Sequence, residues 1–210
     1  ASSENFILVL SHDEVVHLKC SMINKMPGIY EDKFANLKVG YTFMMTHPGK
    51  KLLFMGQDFG QFHEWDEKVA LDWYLTEEPL HADLQKYYSD LLHLYRTYPA
   101  LYRLERDWHG FQWVNANDGD RSIFSYIRRD ETGKKNLLVI CNFTPMERAD
   151  YRVGVPKRGN YTLGLDTAHG LYKRGDHAPV FRSVKKECDG QPCSFAYPLP
   201  PYGAAIFRFS

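Results

Sequence analysis

The densest run of chemically capable side chains is Ser11-His12-Asp13-Glu14-Val15-Val16-His17. Two carboxylates and two imidazoles so close together could bind a metal, move protons, or hold the hydroxyls of a polar substrate. Their spacing narrows the choice. A zinc-protease helix carries two histidines four apart with a glutamate between them. Here His12 and His17 are five apart, on well-separated sides of a helix. A glycosidase pair needs two carboxylates about 5 to 9.5 Å apart across one substrate. Asp13 and Glu14 are neighbours and would point to opposite faces of a continuing strand. They do not make that pair, which leaves one of them to act with carboxylates from outside this chain. Acidic residues and histidines also begin loops and cap helices, so a purely structural role stands beside the chemical one.

A second cluster comprises Gly56-Gln57-Asp58-Phe59-Gly60-Gln61, His63-Glu64-Trp65-Asp66 and Leu71-Asp72-Trp73. Its glycines allow tight turns and its tryptophans offer stacking platforms. The alternative is a long connecting loop whose two tryptophans plug the rim of a fold. Other chemistries lack support. The sequence contains no G-x-S-x-G nucleophile elbow, no G-x-G-x-x-G and no P-loop.

Both clusters follow short apolar runs. Phe6-Ile7-Leu8-Val9-Leu10 and Leu52-Leu53-Phe54-Met55 read as strands buried on both faces. Between them Phe34, Leu37, Tyr41, Met44 and Met45 set a helix over about Lys33 to Thr46, stopped by Pro48-Gly49. A second helix stripe runs through Leu84, Tyr87, Tyr88, Leu91, Leu94, Tyr95 and Tyr98, closed by Pro99. Strand, helix, strand, helix implies parallel pairing, and both clusters then lie at C-terminal strand ends, where barrels of parallel strands place their active sites. Two such strands cannot cover themselves, so this half reads as the end of a larger α/β unit.

After residue 100 the apolar period becomes two. Phe111–Val114, Ser122–Ile127, Leu137–Phe143, Tyr151–Val155, Tyr161–Leu165, Val180–Val184, Phe195–Leu199 and Gly203–Phe209 read as strands separated by turns such as Asn117-Asp118-Gly119. Many short strands at this spacing predict an antiparallel sandwich. Alternation points Phe124, Tyr126 and Phe143 inward, favouring core over a sugar-binding face.

Composition excludes several classes. The 210 residues carry 26 Lys+Arg and 26 Asp+Glu, a formal net charge of zero that gives no pull toward nucleic acid or an anionic membrane. No apolar run approaches the ~20 residues that span a bilayer. Four cysteines are too few for a disulfide scaffold. Cys188 and Cys193 flank a turn that a disulfide could close, and reduced thiols are the favoured reading. Aromatic residues reach 15%, compatible with sugar stacking or with a tyrosine-rich core.

The stretch from Phe6 to His17 resembles the last signature region of bacterial glycogen branching enzymes, members of the α-amylase superfamily. The resemblance continues through Lys25-Met26-Pro27-Gly28, Lys33–Leu37, His47–Gly56, Leu71-Asp72-Trp73, Val139–Pro145 and Tyr151–Pro156, and is weak between about 166 and 194. It implies a (β/α)8 barrel followed by an all-β domain: residues 1–98 would be the last two strand–helix units and 99–210 the C-terminal sandwich. It also implies a retaining transglycosylase that cleaves an α-1,4-glucan and builds an α-1,6 branch, with no cofactor or metal required. Asp13 matches the aspartate that supports the transition state, and His12 the histidine that binds the sugar at the cleavage point. Glu14 matches the motif without a derivable role; with Gln57 and Trp65 it joins His12 in the expected substrate-binding set. The nucleophile and acid/base belong to motifs upstream of residue 1, so this stretch is expected to be inactive alone. A cytoplasmic setting is implied, glycogen or amylose chains are the implied partner, and self-association through an exposed barrel edge is expected.

Four positions depart from the pattern. Leu18-Lys19-Cys20 stands where relatives often carry Gly-Lys-Lys, Asp58 replaces a glutamate, and Asp66 replaces an asparagine. Competing expectations are a non-catalytic glucan-binding module and a debranching enzyme.

Overall fold

Strands β1 (Ile7–Leu10) and β2 (Lys50–Leu53) pair in parallel, Val9 opposite Leu52 and Leu10 opposite Leu53, in the computed structural model, which describes residues 7–173 and 175–210. Parallel neighbours require a crossover. Helix α1 (Tyr30–Thr46) supplies it, and α2 (Pro79–Thr97) follows β2. Phe6, expected in the first strand, lies outside the described residues.

Both helices begin earlier than their apolar stripes. In α1 the Asp32 carboxylate accepts from the Ile29 N–H at 3.3 Å, and Glu31 and Asp32 place negative charge on the first turn. In α2, Pro79 occupies the first turn, where its missing N–H costs nothing. Leu84, Tyr87, Leu91 and Leu94 form its buried stripe as read from their spacing. Strand β2 sits two residues earlier than expected. Phe54 still donates to the Leu10 carbonyl at 2.9 Å, but Met55 has left the ladder.

The second half is antiparallel: β3 (Phe111–Asp118), β4 (Ile123–Arg128), β5 (Asn136–Asn142), β6 (Arg148–Val155), β7 (Asn160–Asp166), β8 (Gly170–Leu171), β9 (Val180–Arg182), β10 (Cys193–Leu199) and β11 (Ala204–Phe209). One sheet runs β3-β4-β5-β11-β7-β8, with β9 also on β7; β6 and β10 form the second sheet. The short β8 was not expected. Its two residues are too few to show a period.

Alternation divides the core in two. Leu138 and Ile140 of β5 and Ala205, Phe207 and Phe209 of β11 face β6 and β10, where Val153, Val155, Phe195 and Leu199 meet them. Leu137, Val139 and Cys141 with Ala204 and Ile206 face the other way, onto Leu37, Tyr41, Met44, Leu84, Tyr87 and Leu91 of the helices. The expected sandwich is therefore only half of the packing. The larger sheet buries its second face against α1 and α2, so β5 is buried along its whole length. Tyr126 points inward as expected, but toward α1: its hydroxyl meets Thr46 Oγ1 at 2.6 Å, and Phe43 packs against Tyr126, Phe124 and Phe143 at 5.9 to 6.2 Å.

Polar ties fix the helices to the sheet. Lys38 pairs with Asp83 at 2.5 Å and donates to the Thr167 carbonyl at 3.2 Å. Asp90 on α2 accepts from the Leu171 N–H at 3.3 Å. Gly170 makes that approach possible. It adopts φ +78°, and a Cβ there would stand 2.5 Å from the Asp90 carboxylate. All four cysteines are free, Cys141 and Cys193 buried and Cys20 exposed.

Lys51 sits at the helix–sheet junction, donating to the His47 carbonyl with its ammonium 5.9 Å from the Tyr95 ring centre. Burial, then the neighbouring Arg128, push its pKa from the usual 10.5 down to about 7. Above pH 7 the folded chain holds Lys51 neutral while the unfolded chain still binds the proton, so this group's penalty on folding is relieved as pH rises. The thermal midpoint is expected to rise less between pH 7 and 9 in Lys51→Met than in the parent when both are followed by calorimetry. Equal slopes would remove Lys51 as the cause.

Candidate functional site

Strand β1 ends at Leu10, and the chain turns at once into a single helical turn, His12–Glu14, capped by Ser11. Ser11 Oγ accepts from the Asp13 N–H at 3.2 Å. Glu14 reaches back, its Oε2 accepting from the Ser11 N–H at 2.5 Å and from the Ser11 hydroxyl at 2.9 Å. This reciprocal cap orients the neighbouring carboxylates differently: Glu14 folds onto its own turn, and Asp13 projects outward with 69% of its side chain exposed. His12 Nε2 lies 3.3 Å from Asp13 Oδ1.

The two sequence clusters meet. Trp65 donates its backbone N–H to the Val15 carbonyl at 3.0 Å. Phe54, just past β2, stands between the clusters, its ring centre 5.9 Å from that of His12 and 5.1 Å, edge-on, from that of Trp65. His12 and Trp65 open onto a cleft of about 710 Å³ that is also lined by His17, His63 and Asp72. Gln57 does not line it. The side chain is buried and its Nε2 lies 3.4 Å from both the Leu10 and Ser11 carbonyls, while the backbone carbonyl of Gln57 accepts from the Tyr41 hydroxyl at 2.8 Å. The structure places the expected substrate-binding set in two environments: His12 and Trp65 face the cleft, whereas Glu14 caps its own turn and Gln57 lies against the end of β1.

Two further features escaped the sequence reading. His63 Nδ1 lies 2.6 Å from Asp72 Oδ2, a pairing across nine residues of loop that no regular period announces. Glu64 spans the segment after the cap, accepting from the Leu18 N–H at 3.0 Å and the Cys20 N–H at 2.6 Å. That segment is strained: His17, Leu18 and Cys20 adopt φ of 57°, 65° and 66°. Leu18 stands at the position where the resemblance expects glycine, the residue that tolerates this conformation. Glu64→Ala removes both acceptors and is expected to speed tryptic cleavage after Lys19 several-fold under native conditions. Unchanged cleavage would show that the segment is held by other contacts.

Among the described residues no group of three or more His, Cys, Asp or Glu side chains is arranged to hold a metal ion. No described helix is long and apolar enough to cross a membrane.

The geometry has counterparts in known proteins. The family model for the alpha amylase C-terminal all-beta domain matches residues 113–210, covering β4 to β11 and most of β3. The 1,4-alpha-glucan branching enzyme GlgB of Butyrivibrio fibrisolvens is 55% identical over 209 residues, 99% of this chain and 33% of that enzyme. The enzyme of the same name from Aquifex aeolicus is 55% identical over 167 residues, 80% of this chain and 26% of that enzyme. The one from Bacillus caldolyticus is 43% identical over 213 residues, 99% and 32% respectively. Among solved structures, an alpha-amylase from H. orenii superposes with a TM-score of 0.59 at 16% identity over 97% of this chain and 39% of the other, a likeness of fold. The chain spans about a third of the length of the curated relatives it matches, and it belongs to the family of 1,4-alpha-glucan branching enzymes of the GlgB type.

Proposed function

We propose that this chain is the C-terminal part of a cytoplasmic enzyme that cleaves an α-1,4-glucan and transfers the released segment to a 6-hydroxyl as a branch. Residues 1–98 then contribute the last two strand–helix units of a (β/α)8 barrel, and 99–210 the C-terminal sandwich. The observation that carries the reading is that His12 and Trp65, from the segments following two parallel strands, line one cleft, with the Asp13 carboxylate 3.3 Å from His12, in a chain 55% identical to a branching enzyme.

In this reading Asp13 supports the oxocarbenium-like transition state of a retaining mechanism. Hydrogen bonds to sugar hydroxyls that strengthen as the ring distorts favour the transition state over the ground state. His12 binds the sugar at the cleavage point, and Trp65 offers its ring to a neighbouring glucose. Glu14 and Gln57 act through the backbone they hold. The nucleophile and acid/base come from outside these 210 residues. Leu52 and Met55, 39% and 51% exposed beside the parallel pair, are the surface that upstream strands or a second copy would cover.

The test compares this chain with the full-length enzyme on linear amylose, following iodine colour and the short chains freed by a debranching enzyme. Branching by the long form and silence of the 210 residues is the expected result. Branching by these residues alone would overturn the assignment of roles.

A further inference from the structure

The cleft holds a pairing that the roles above do not use. His63 has a 76% exposed side chain, whereas Asp72, its partner at 2.6 Å, is only 16% exposed. Asp72 is itself fixed, because its backbone N–H donates to Gln61 Oε1 at 3.0 Å, and Gln61 is buried and donates its Nε2 to the His63 carbonyl at 3.2 Å. The three residues close a small ring of hydrogen bonds around one imidazole. A carboxylate only accepts, so Nδ1 carries the proton in this pairing and Nε2 is left to the cleft. A ring held by a less exposed carboxylate keeps its orientation without a bound ligand, which lowers the entropy lost when one arrives.

His12 lines the same cleft just after β1, and His63, Trp65 and Asp72 line it from the loop that follows β2. We propose that His63, oriented by Asp72, is a positioning and specificity residue that holds a hydroxyl of the acceptor glucan, and so decides whether the cleaved chain goes to sugar or to water. This rests on the reading of the cleft as a glucan-transfer site. The physical basis is competition. A glycosyl intermediate is intercepted by whichever oxygen is aligned with it, and an oriented hydrogen bond to one acceptor raises that oxygen's effective concentration over bulk water.

The experiment uses the full-length enzyme and its variants His63→Ala, His63→Gln and Asp72→Asn, on amylose. Reducing ends report chains cleaved to water, and chains released by a debranching enzyme report branches formed. Loss of one neutral hydrogen bond at the transfer step is expected to lower the ratio of branches to hydrolytic cleavages about tenfold in His63→Ala. The drop should be smaller in Asp72→Asn, which loosens the ring without deleting it. His63→Gln, whose amide can still meet a hydroxyl, should recover part of the ratio. A purely structural role would lower both products together, and an unchanged ratio in His63→Ala with parent-like folding overturns the proposal. A parent enzyme that yields neither reducing ends nor branches overturns the reading of the cleft itself, and this assignment with it.

Discussion

Asp13→Asn in the full-length enzyme is expected to lower kcat on the order of a hundred- to a thousandfold, with little change in apparent affinity for amylose. The substitution preserves size and shape and, in the proposed role, removes the charge from the place where positive charge would develop on the sugar. The surroundings explain why the effect should be catalytic rather than structural. The Asp13 side chain is 69% exposed, and its carboxylate lies 3.3 Å from His12, itself 55% exposed. The bonds that hold this turn use other atoms: the Asp13 N–H donates to Ser11 Oγ, and the Asp13 carbonyl accepts from Lys19 Nζ at 2.8 Å. Both survive in the asparagine variant, so its thermal unfolding should match the parent. Glu14→Gln gives the contrast. Its carboxylate accepts from the Ser11 backbone and hydroxyl, so that variant should loosen the turn and lower stability with a smaller loss of kcat. A loss of less than about tenfold in Asp13→Asn would remove Asp13 from the transition state, since groups acting on developing charge cost far more when deleted.

The contrast between Asp13 and Glu14 also marks the limit of reading this site from sequence. Residue types and their place after a buried strand pointed to this turn, and the resemblance singled out Asp13 and His12. The partners of Glu14 and Gln57 within the fold were harder to read, because a side chain's partner depends on the angle at which the strand ends. Ser11 followed three residues later by Glu14 is a capping-box pattern, and that signal was legible. The support from Gln57 to Leu10 and Ser11 crosses 46 and 47 residues and was not. The same holds for the fold. Helix stripes and strand alternation located most elements, because burial imposes a period on each. Alternation along β5 and β11 shows that two faces are filled, but it cannot say with what. That the second face meets α1 and α2 follows from tertiary contacts such as Lys38 with Thr167, whose partners lie 129 residues apart.

Arg128 makes another contact of this long-range kind, and Arg128→Ala is expected to lower folding stability by about 3 to 5 kcal/mol. The side chain is fully buried. It donates from Nη1 to the Thr46 carbonyl at 2.7 Å, in the last turn of α1, and from Nε to the Gly110 carbonyl at 3.2 Å, just before β3. One guanidinium thus satisfies a helix-end carbonyl and a sheet-end carbonyl together. Burial alone would make this costly and pushes the pKa down to about 10, while Tyr126, Glu105 and Tyr95 act the other way. Truncation removes the Thr46 carbonyl's donor, leaves Gly110 with only the Arg129 N–H at 3.0 Å, and opens a cavity beside Tyr126, itself bonded to Thr46. Domains of this kind have only about 5 to 15 kcal/mol in total, so the loss should show as a large fall in the urea midpoint. Arg128→Lys keeps a cation but replaces the planar fork by a single ammonium, which reaches one carbonyl well and the other poorly; it should fall between parent and alanine. A midpoint in Arg128→Ala close to the parent's would mean that apolar packing and the other polar ties, Lys38 to Thr167 and Thr46 to Tyr126, hold α1 to the sheet without it. The expected ranking instead makes Arg128 a main polar link through which the sheet supports the helix between β1 and β2, and with it the segments after those strands that carry Asp13 and Trp65.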